Sequence, residues 1–306
     1  MLVSGFTIIR NGIEYDFPYL ESIRSLLPLC DEFIVNVGKS SDQTLKTIQD
    51  FKESLPFGKK NHFHIFETEW PLDDPEKRQG GHILADQTNL ALDRCKGRWC
   101  FYLQADEVLH ENDLPLIRAQ LLDWQNRPEI EAVVLNYIHF YGTYSVIQTS
   151  RSSYRREIRV VRNGLGIRST GDAQSFLHAD GRKIGAVLSS GRVFHYGWVR
   201  PQEKMKEKTA FMDTLYHPEA STESPETGDN YKYKRIVGIR PFRGTHPQVM
   251  KGRISAALEN GPSGVFDFTK APRVFKLKDV WKVVSGGIES LTGIRPFEYK
   301  NYRLIK

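Results

Sequence analysis

The densest run of chemistry-bearing residues is Gln104-Ala105-Asp106-Glu107, where the apolar segment Trp99 to Leu103 runs directly into two carboxylates. An acid at the carboxyl end of a buried strand is costly unless it meets a cation or a polar ligand. Oxygen ligands of this kind suit Mg²⁺ or Mn²⁺, and a divalent ion there would neutralise a diphosphate leaving group. The same residues also read as the N-cap of a helix beginning near Asn112. Far along the chain, His195 ends the short apolar run VFHY. A neutral imidazole is a competent Mn²⁺ ligand, while a lone histidine serves as readily as a structural hydrogen-bonding residue. Asp172 follows Gly171 and Asp180 precedes Gly181, both in turn-forming surroundings. Arg159 and Arg162, three apart in EIRVVRN, point to opposite faces of a regular strand. Either could bind phosphate bidentately, and an exposed sheet face with Arg159 beside Glu157 is the competing reading.

Regular elements must position these groups. Ser4 to Arg10 and Glu32 to Val37 are β-rich runs, and Glu14 to Leu29 places Phe17, Leu20, Ile23, Leu26 and Leu27 at helical spacing. A helix capped by Ser41 or Asp42 runs to about Glu53, a strand covers Phe63 to Phe66, and a helix from about His82 to Cys95 carries Asn89 toward the strand at Trp99 to Leu103. Alternation of strand and helix predicts an α/β fold, a mostly parallel sheet with helices on both faces that binds ligands at the carboxyl ends of its strands.

Beyond residue 130 the pattern changes. Glu131 to Tyr141, Tyr154 to Val161 and Val193 to Tyr196 read as strands, and Pro201 to Tyr216 as a helix with a charged outer face. Residues 218–230 form a polar loop with few apolar anchors, expected to be a mobile segment or a lid. The expected division is an α/β unit over residues 1–200 and a helical and irregular extension over 201–306, with a helix near Leu277 to Leu291. Trp281, Phe297, Tyr299, Lys300, Tyr302 and Arg303 suit the core of that extension, or contact with a membrane surface; core is the favoured expectation.

Composition excludes several classes. With 306 residues, 40% hydrophobic and 26% charged, the chain is neither fibrous nor wholly disordered, and no apolar run is long enough to cross a bilayer. The start of the chain lacks a signal-peptide pattern, so the expected location is the cytoplasm, with peripheral contact at the inner face of the membrane. Cys30, Cys95 and Cys100 support neither a disulfide framework nor a zinc site. Basic charge is concentrated late: six Arg against one Glu in residues 151–168, and seven Lys or Arg with no acid in residues 231–253. That asymmetry suits a phosphorylated ligand held at the seam or anionic lipid. Nucleic acid is not the expected partner, because no recognition helix, zinc finger or RNP-type motif accompanies the charge.

The segments FTIIRNGIEYDFPYLESI, DEFIVNVGKSSDQTLKTI, DQTNLAL and KGRWCFYLQADEVL occur in an order that resembles the family 2 glycosyltransferases, whose fold is the Rossmann-like GT-A fold. The resemblance spans about residues 4–200. It implies an inverting, metal-dependent transfer of sugar from a nucleoside diphosphate donor, UDP-linked as the first guess, to a saccharide or lipid-linked hydroxyl acceptor. Ser40, Asp42 and Thr44 match the family's S-x-D-x-T ending of the second strand. Gln104-Ala105-Asp106-Glu107 stands at its metal motif, which implies Asp106 as metal ligand with His195 as a late third contact and Glu107 orienting the site. Arg10, Asn11 and Glu14 fall where base and ribose contacts are expected, and Asn89 would face the same pocket; Arg159 or Arg162, as phosphate-binding residues, could contact the diphosphate or an anionic acceptor. Asp172 is the expected base, with Asp180 in reserve.

Two residues depart from the family pattern. Gln104 replaces the first acid of the metal motif and brings no charge, and Asn36 and Gly38 stand where acids usually hold the nucleoside. An attenuated or non-catalytic nucleotide-sugar-binding module is therefore the rival reading. Nucleotidyl transfer is disfavoured because Asn11-Gly12-Ile13-Glu14 lacks the basic Gly-rich loop that this chemistry uses.

Overall fold

The computed structural model describes residues 1–217, 231–259, 271, 275–277 and 279–305. The loop at 218–230 expected as a lid lies outside them. The first part of the chain comprises β1 (Val3–Ile9), α1 (Tyr19–Leu26), β2 (Glu32–Gly38), α2 (Thr44–Ser54), α3 (Phe57–Lys60), β3 (Phe63–Thr68), α4 (Pro75–Arg78), α5 (His82–Leu92) and β4 (Trp99–Tyr102). Its strands lie in the order β3-β2-β1-β4, all parallel. β1 and β2 are buried along their whole length, which is why their sequences read as unbroken apolar runs rather than alternations. Ile23 and Leu26 of α1 and Ile48 and Phe51 of α2 pack with Phe33, Phe63 and Phe101 on one face. Ile83, Ala91 and Leu92 of α5 pack with Phe6, Ile34 and Tyr102 on the other. This is the Rossmann-like α/β arrangement that the sequence predicts, with helices on both faces.

The chain continues through β5 (Glu107–Leu109), α6 (Leu114–Trp124), β6 (Ala132–Tyr141), β7 (Thr143–Gln148), β8 (Arg156–Arg162), β9 (Ile167–Thr170), β10 (Ser175–His178), β11 (Ile184–Trp198), α7 (Gln202–Tyr216), β12 (Ile239–Pro241), α8 (Lys251–Glu259), α9 (Asp279–Thr292) and β13 (Tyr302–Leu304). β8 joins the edge of the parallel half antiparallel to β4, and β6, β7 and β12 extend the sheet from there. β11 runs parallel to β6 and antiparallel to β5, and β13 closes against β11. β9 and β10 form a separate hairpin.

Two elements differ from the sequence reading. The helix expected from Glu14 begins only at Tyr19, because Asn11 and Asp16 adopt left-handed backbone (φ 49° and 51°) and Pro18 disfavours helical backbone at Phe17. The short strand at Val193 to Tyr196 is the end of the much longer β11. Its apolar alternation is masked by Ser189, Ser190 and Gly191, where the pairing with β6 shifts register.

Candidate functional site

β4 ends at Tyr102 and the chain turns through Gln104 and Asp106 into β5, whose Glu107 pairs with His195 of β11. A backbone hydrogen bond from Tyr196 N–H to the Asp106 carbonyl, 2.8 Å, secures the turn. Asp106 and His195 thereby meet, Nε2 lying 3.6 Å from Oδ1, with both side chains nearly buried. Neither acid caps the following helix. His110 performs that task, its Nδ1 accepting from Asn112 N–H.

A second histidine orders the first. His139 Nε2 lies 2.6 Å from the Tyr154 carbonyl, which only accepts, so that nitrogen carries a proton. Burial, helped by neighbouring His195, brings the His139 ring down to about 3, so it is neutral and accepts at Nδ1. The proton in the 3.0 Å contact between the two Nδ1 atoms then belongs to His195, whose Nε2 faces Asp106. Burial lowers the His195 ring as well.

The counter-charge of Asp106 is Lys208, from α7. Its Nζ donates to Oδ2 at 3.2 Å and to the Gly197 carbonyl at 2.9 Å. Burial alone would raise the Asp106 carboxyl, but Lys208, the His195 ring and Arg200 hold it well below the ordinary carboxylate range. Burial and Arg200 bring the Lys208 ammonium down to about 8 against the pull of Asp106. Gly197 has to be bare here. A Cβ on it would stand 2.6 Å from the His195 imidazole and 3.0 Å from Asp106 Oδ2.

Asp106, His195, Lys208, Gln104 and Asp172 all line one cavity of about 610 Å³, together with Arg10, Trp70, Phe17 and Tyr216. Asp172 follows β9, its Oδ2 accepting from Tyr216 O–H at 2.8 Å and its Oδ1 from Gln174 N–H at 3.2 Å. It also lines a neighbouring cavity of about 560 Å³, which shares Tyr154 and Gln174 with the first. Asp180 lies in an exposed turn beside Arg182 and lines neither cavity.

Several expected contacts lie elsewhere. Arg159 is fully buried and paired with Glu107 through 2.8 and 2.7 Å bonds, and its Nη1 donates to the Ile158 and Gln174 carbonyls. It is thus neither a phosphate ligand nor an exposed sheet residue. Arg162 lies opposite Trp99, the first residue of β4, because β8 runs antiparallel to it. At that end of the sheet, away from Gln104, it binds the carbonyls of Trp124, Gln125, Arg127 and Ile130. Asn89 clasps the Ser169 backbone through both ends of its amide, and Asn36 is enclosed among Gln87 and Thr68. Asn11, Glu14 and Asp42 knit the loop after β1 to the loop after β2. Asp42 Oδ2 accepts from Ile13 and Glu14 N–H, and the Asn11 amide bonds Glu14 and Ser41. Gly38 leaves room for Trp70, since a Cβ there would lie 2.5 Å from the indole nitrogen. Of the expected nucleoside contacts, Arg10 is the one that lines the cavity.

A divalent ion does not fit this setting. Among the described residues no group of three or more His, Cys, Asp or Glu side chains could hold a metal. Gln104 turns its amide to the Ala173 carbonyl at 3.2 Å, and Asp106 already carries an ammonium. Lys208 escaped the sequence reading because it sits in a highly charged helix. Its signal was spacing: it falls three residues after Met205 and four before Met212, on the inward face of α7.

No protein-family model and no curated protein matches the chain. Among solved structures, the crystal structure of S. aureus TarS 1-349 aligns over 70% of this chain and 65% of that one, at 13% identity and a TM-score of 0.39. The same fragment in complex with UDP-GlcNAc aligns over 70% and 66%, at 13% identity and 0.39. Its complex with UDP aligns over 70% and 65%, at 14% identity and 0.38. The chain spans less than two thirds of the length of these fragments.

Proposed function

We propose that the chain transfers a sugar from a nucleoside diphosphate donor, UDP-linked in the first instance, to a hydroxyl acceptor with inversion. One observation carries this reading: Asp106, His195, Lys208 and Asp172 share the wall of a single cavity at the carboxyl ends of parallel strands, where α/β sheets take their ligands. Arg10 and Trp70 flank the part of that cavity nearest β1 and β2, suited to base and ribose. The acceptor enters from the neighbouring cavity that Asp172 also lines.

In the reaction the acceptor oxygen attacks the anomeric carbon as the bond from that carbon to the diphosphate oxygen breaks. The hydroxyl proton passes to the Asp172 carboxylate and the nucleoside diphosphate leaves with the bonding electrons. Tyr216 and Gln174 hold Asp172 by one bond to each oxygen, which leaves both oxygens with a further lone pair. In this reading residues 1–200 bring Asp106, Asp172 and His195, and residues 201–306 complete the donor cavity through α7.

The test is release of nucleoside diphosphate from UDP-, GDP-, CDP- and dTDP-sugars, with donor binding followed by calorimetry. Asp172→Asn is expected to lower turnover by about 100-fold or more while leaving donor affinity nearly unchanged. Absence of binding to all four donors would sink the reading. Binding with no release, even to water, would favour the non-catalytic module that Gln104 suggests.

A lipid-linked acceptor is supported by α9, which exposes Val280, Trp281, Val283, Val284 and Leu291, with Phe297 and Tyr299 exposed after it. Of the aromatic residues expected in a C-terminal core, Tyr302 is buried in β13. Among the described residues no helix is long and apolar enough to cross a membrane, so the contact would be peripheral. Co-sedimentation with anionic vesicles, lost in Trp281→Asp, is the expected result; equal sedimentation of both proteins would refute it.

A further inference from the structure

We propose that the Lys208 ammonium supplies the positive charge that holds the donor diphosphate, so that the nucleotide binds in the first cavity without a divalent cation. This rests on the reading of that cavity as a nucleotide-sugar site and names the group that does what the family resemblance assigns to a metal.

The lysine is built into place. Its stem runs along the inward face of α7 beside fully buried Met205, and its Nζ lies 5.1 Å from the centre of the Phe17 ring. Two of its three N–H donors are engaged, by Asp106 Oδ2 and the Gly197 carbonyl, and the third has no partner among the described residues and is available to a ligand in the cavity it lines. Arg200 reinforces it from behind. It is 3% exposed, donates Nη1 to the same Gly197 carbonyl at 2.8 Å, and has no hydrogen-bond partner for Nε or Nη2 among the described residues.

Charge balance then decides between ligands. Lys208 and buried Arg200 share one backbone carbonyl, and among the described residues Asp106 is the one carboxylate that either of them hydrogen-bonds. A divalent ion on Asp106 would add two positive charges to a cluster whose cations already outnumber its hydrogen-bonded carboxylate. A diphosphate in the first cavity brings the opposite sign and an acceptor for the remaining Lys208 donor. Gln104, in place of an acid, agrees with this. A site whose cation is a lysine has no use for a second carboxylate ligand, and the amide is spent on Ala173.

The experiment is calorimetric titration of UDP, and in parallel GDP, CDP and dTDP, into the full chain in EDTA and again with Mn²⁺. For the nucleotide that binds, the expected Kd agrees within about threefold between the two conditions. In EDTA, Lys208→Met is expected to weaken it by about 30-fold, while Lys208→Arg retains most of the affinity. Binding that requires Mn²⁺ would overturn the proposal and leave the donor reading standing. Wild-type affinity of Lys208→Met in EDTA would also overturn it. Binding of none of the four under either condition would remove the donor reading and this proposal with it. Should Lys208→Met fail to fold, the comparison of EDTA with Mn²⁺ on the unaltered chain still decides.

Discussion

Arg159→Met tests whether the turn that carries Asp106 is held by a buried ion pair. Both partners, Arg159 and Glu107, are fully buried and joined by two bonds of 2.8 and 2.7 Å. Glu107 also accepts from Tyr137 O–H at 2.8 Å and from the Gln104 backbone N–H at 3.0 Å. Removing the guanidinium leaves a buried carboxylate with hydrogen bonds but no counter-ion, which costs about 3–5 kcal/mol. With an unfolding entropy of about 2.1 cal/mol/K per residue over 306 residues, each kcal/mol shifts Tm by about 1.6 °C. The variant should therefore melt about 5–8 °C below the parent protein. Replacing both partners, as Glu107→Gln with Arg159→Met, removes the isolated charge and should recover much of the loss, since a buried ion pair gains little over neutral groups of similar volume. Differential scanning calorimetry of the two variants checks this. A single variant within about 2 °C of the parent, or a double variant no more stable than the single, would refute the reasoning.

Gly197→Ala forces a methyl against the His195 ring and the Asp106 carboxylate; it should cost about 1–3 kcal/mol and abolish nucleotide binding, read by thermal melting and calorimetry. Asp42 has a folded pKa below its unfolded value: burial opposes this, but bonds from Thr44, Glu14 and Ile13 outweigh it. Its contribution is thus present above about pH 4 and is lost as pH falls through the folded value, so Asp42→Ala should lower Tm clearly at pH 7 and little at pH 2, and equal loss at both would contradict the assignment. Tyr216→Phe removes one of the bonds that aim Asp172 and should reduce turnover several-fold while nucleotide Kd holds, a split that kinetics and calorimetry together would show.

The parallel half of the fold was legible because each strand–helix unit announces itself locally: apolar runs for β1 and β2, a three-and-four spacing for α5, and the abrupt end of β4 in carboxylates. The meeting of Asp106 with His195 was legible for the same reason, since each closes an apolar strand. What escaped were pairings set by the sheet's long-range order. Nothing around EIRVVRN reveals that Arg159 faces Glu107 across the sheet, or that the antiparallel direction of β8 carries Arg162 to the opposite end. Likewise Asn11, Glu14 and Asp42 occupy positions that suggest ligand contacts, yet two adjacent loops with many exposed backbone N–H groups need just such side chains to close on one another. Lys208 was hidden by company, an inward-facing cation among the other charges of α7.

Because Asp172, Tyr154 and Gln174 belong to the walls of two cavities at once, the two chambers share a wall built from three residues. Two weakly bound fragments, one seated on each side, could be joined by a tether crossing that shared wall. The second fragment would then bind at an effective concentration set by the tether, with avidity about 10²–10⁴ above either part alone. Inhibitor design against this chain would begin from that shared wall rather than from either chamber.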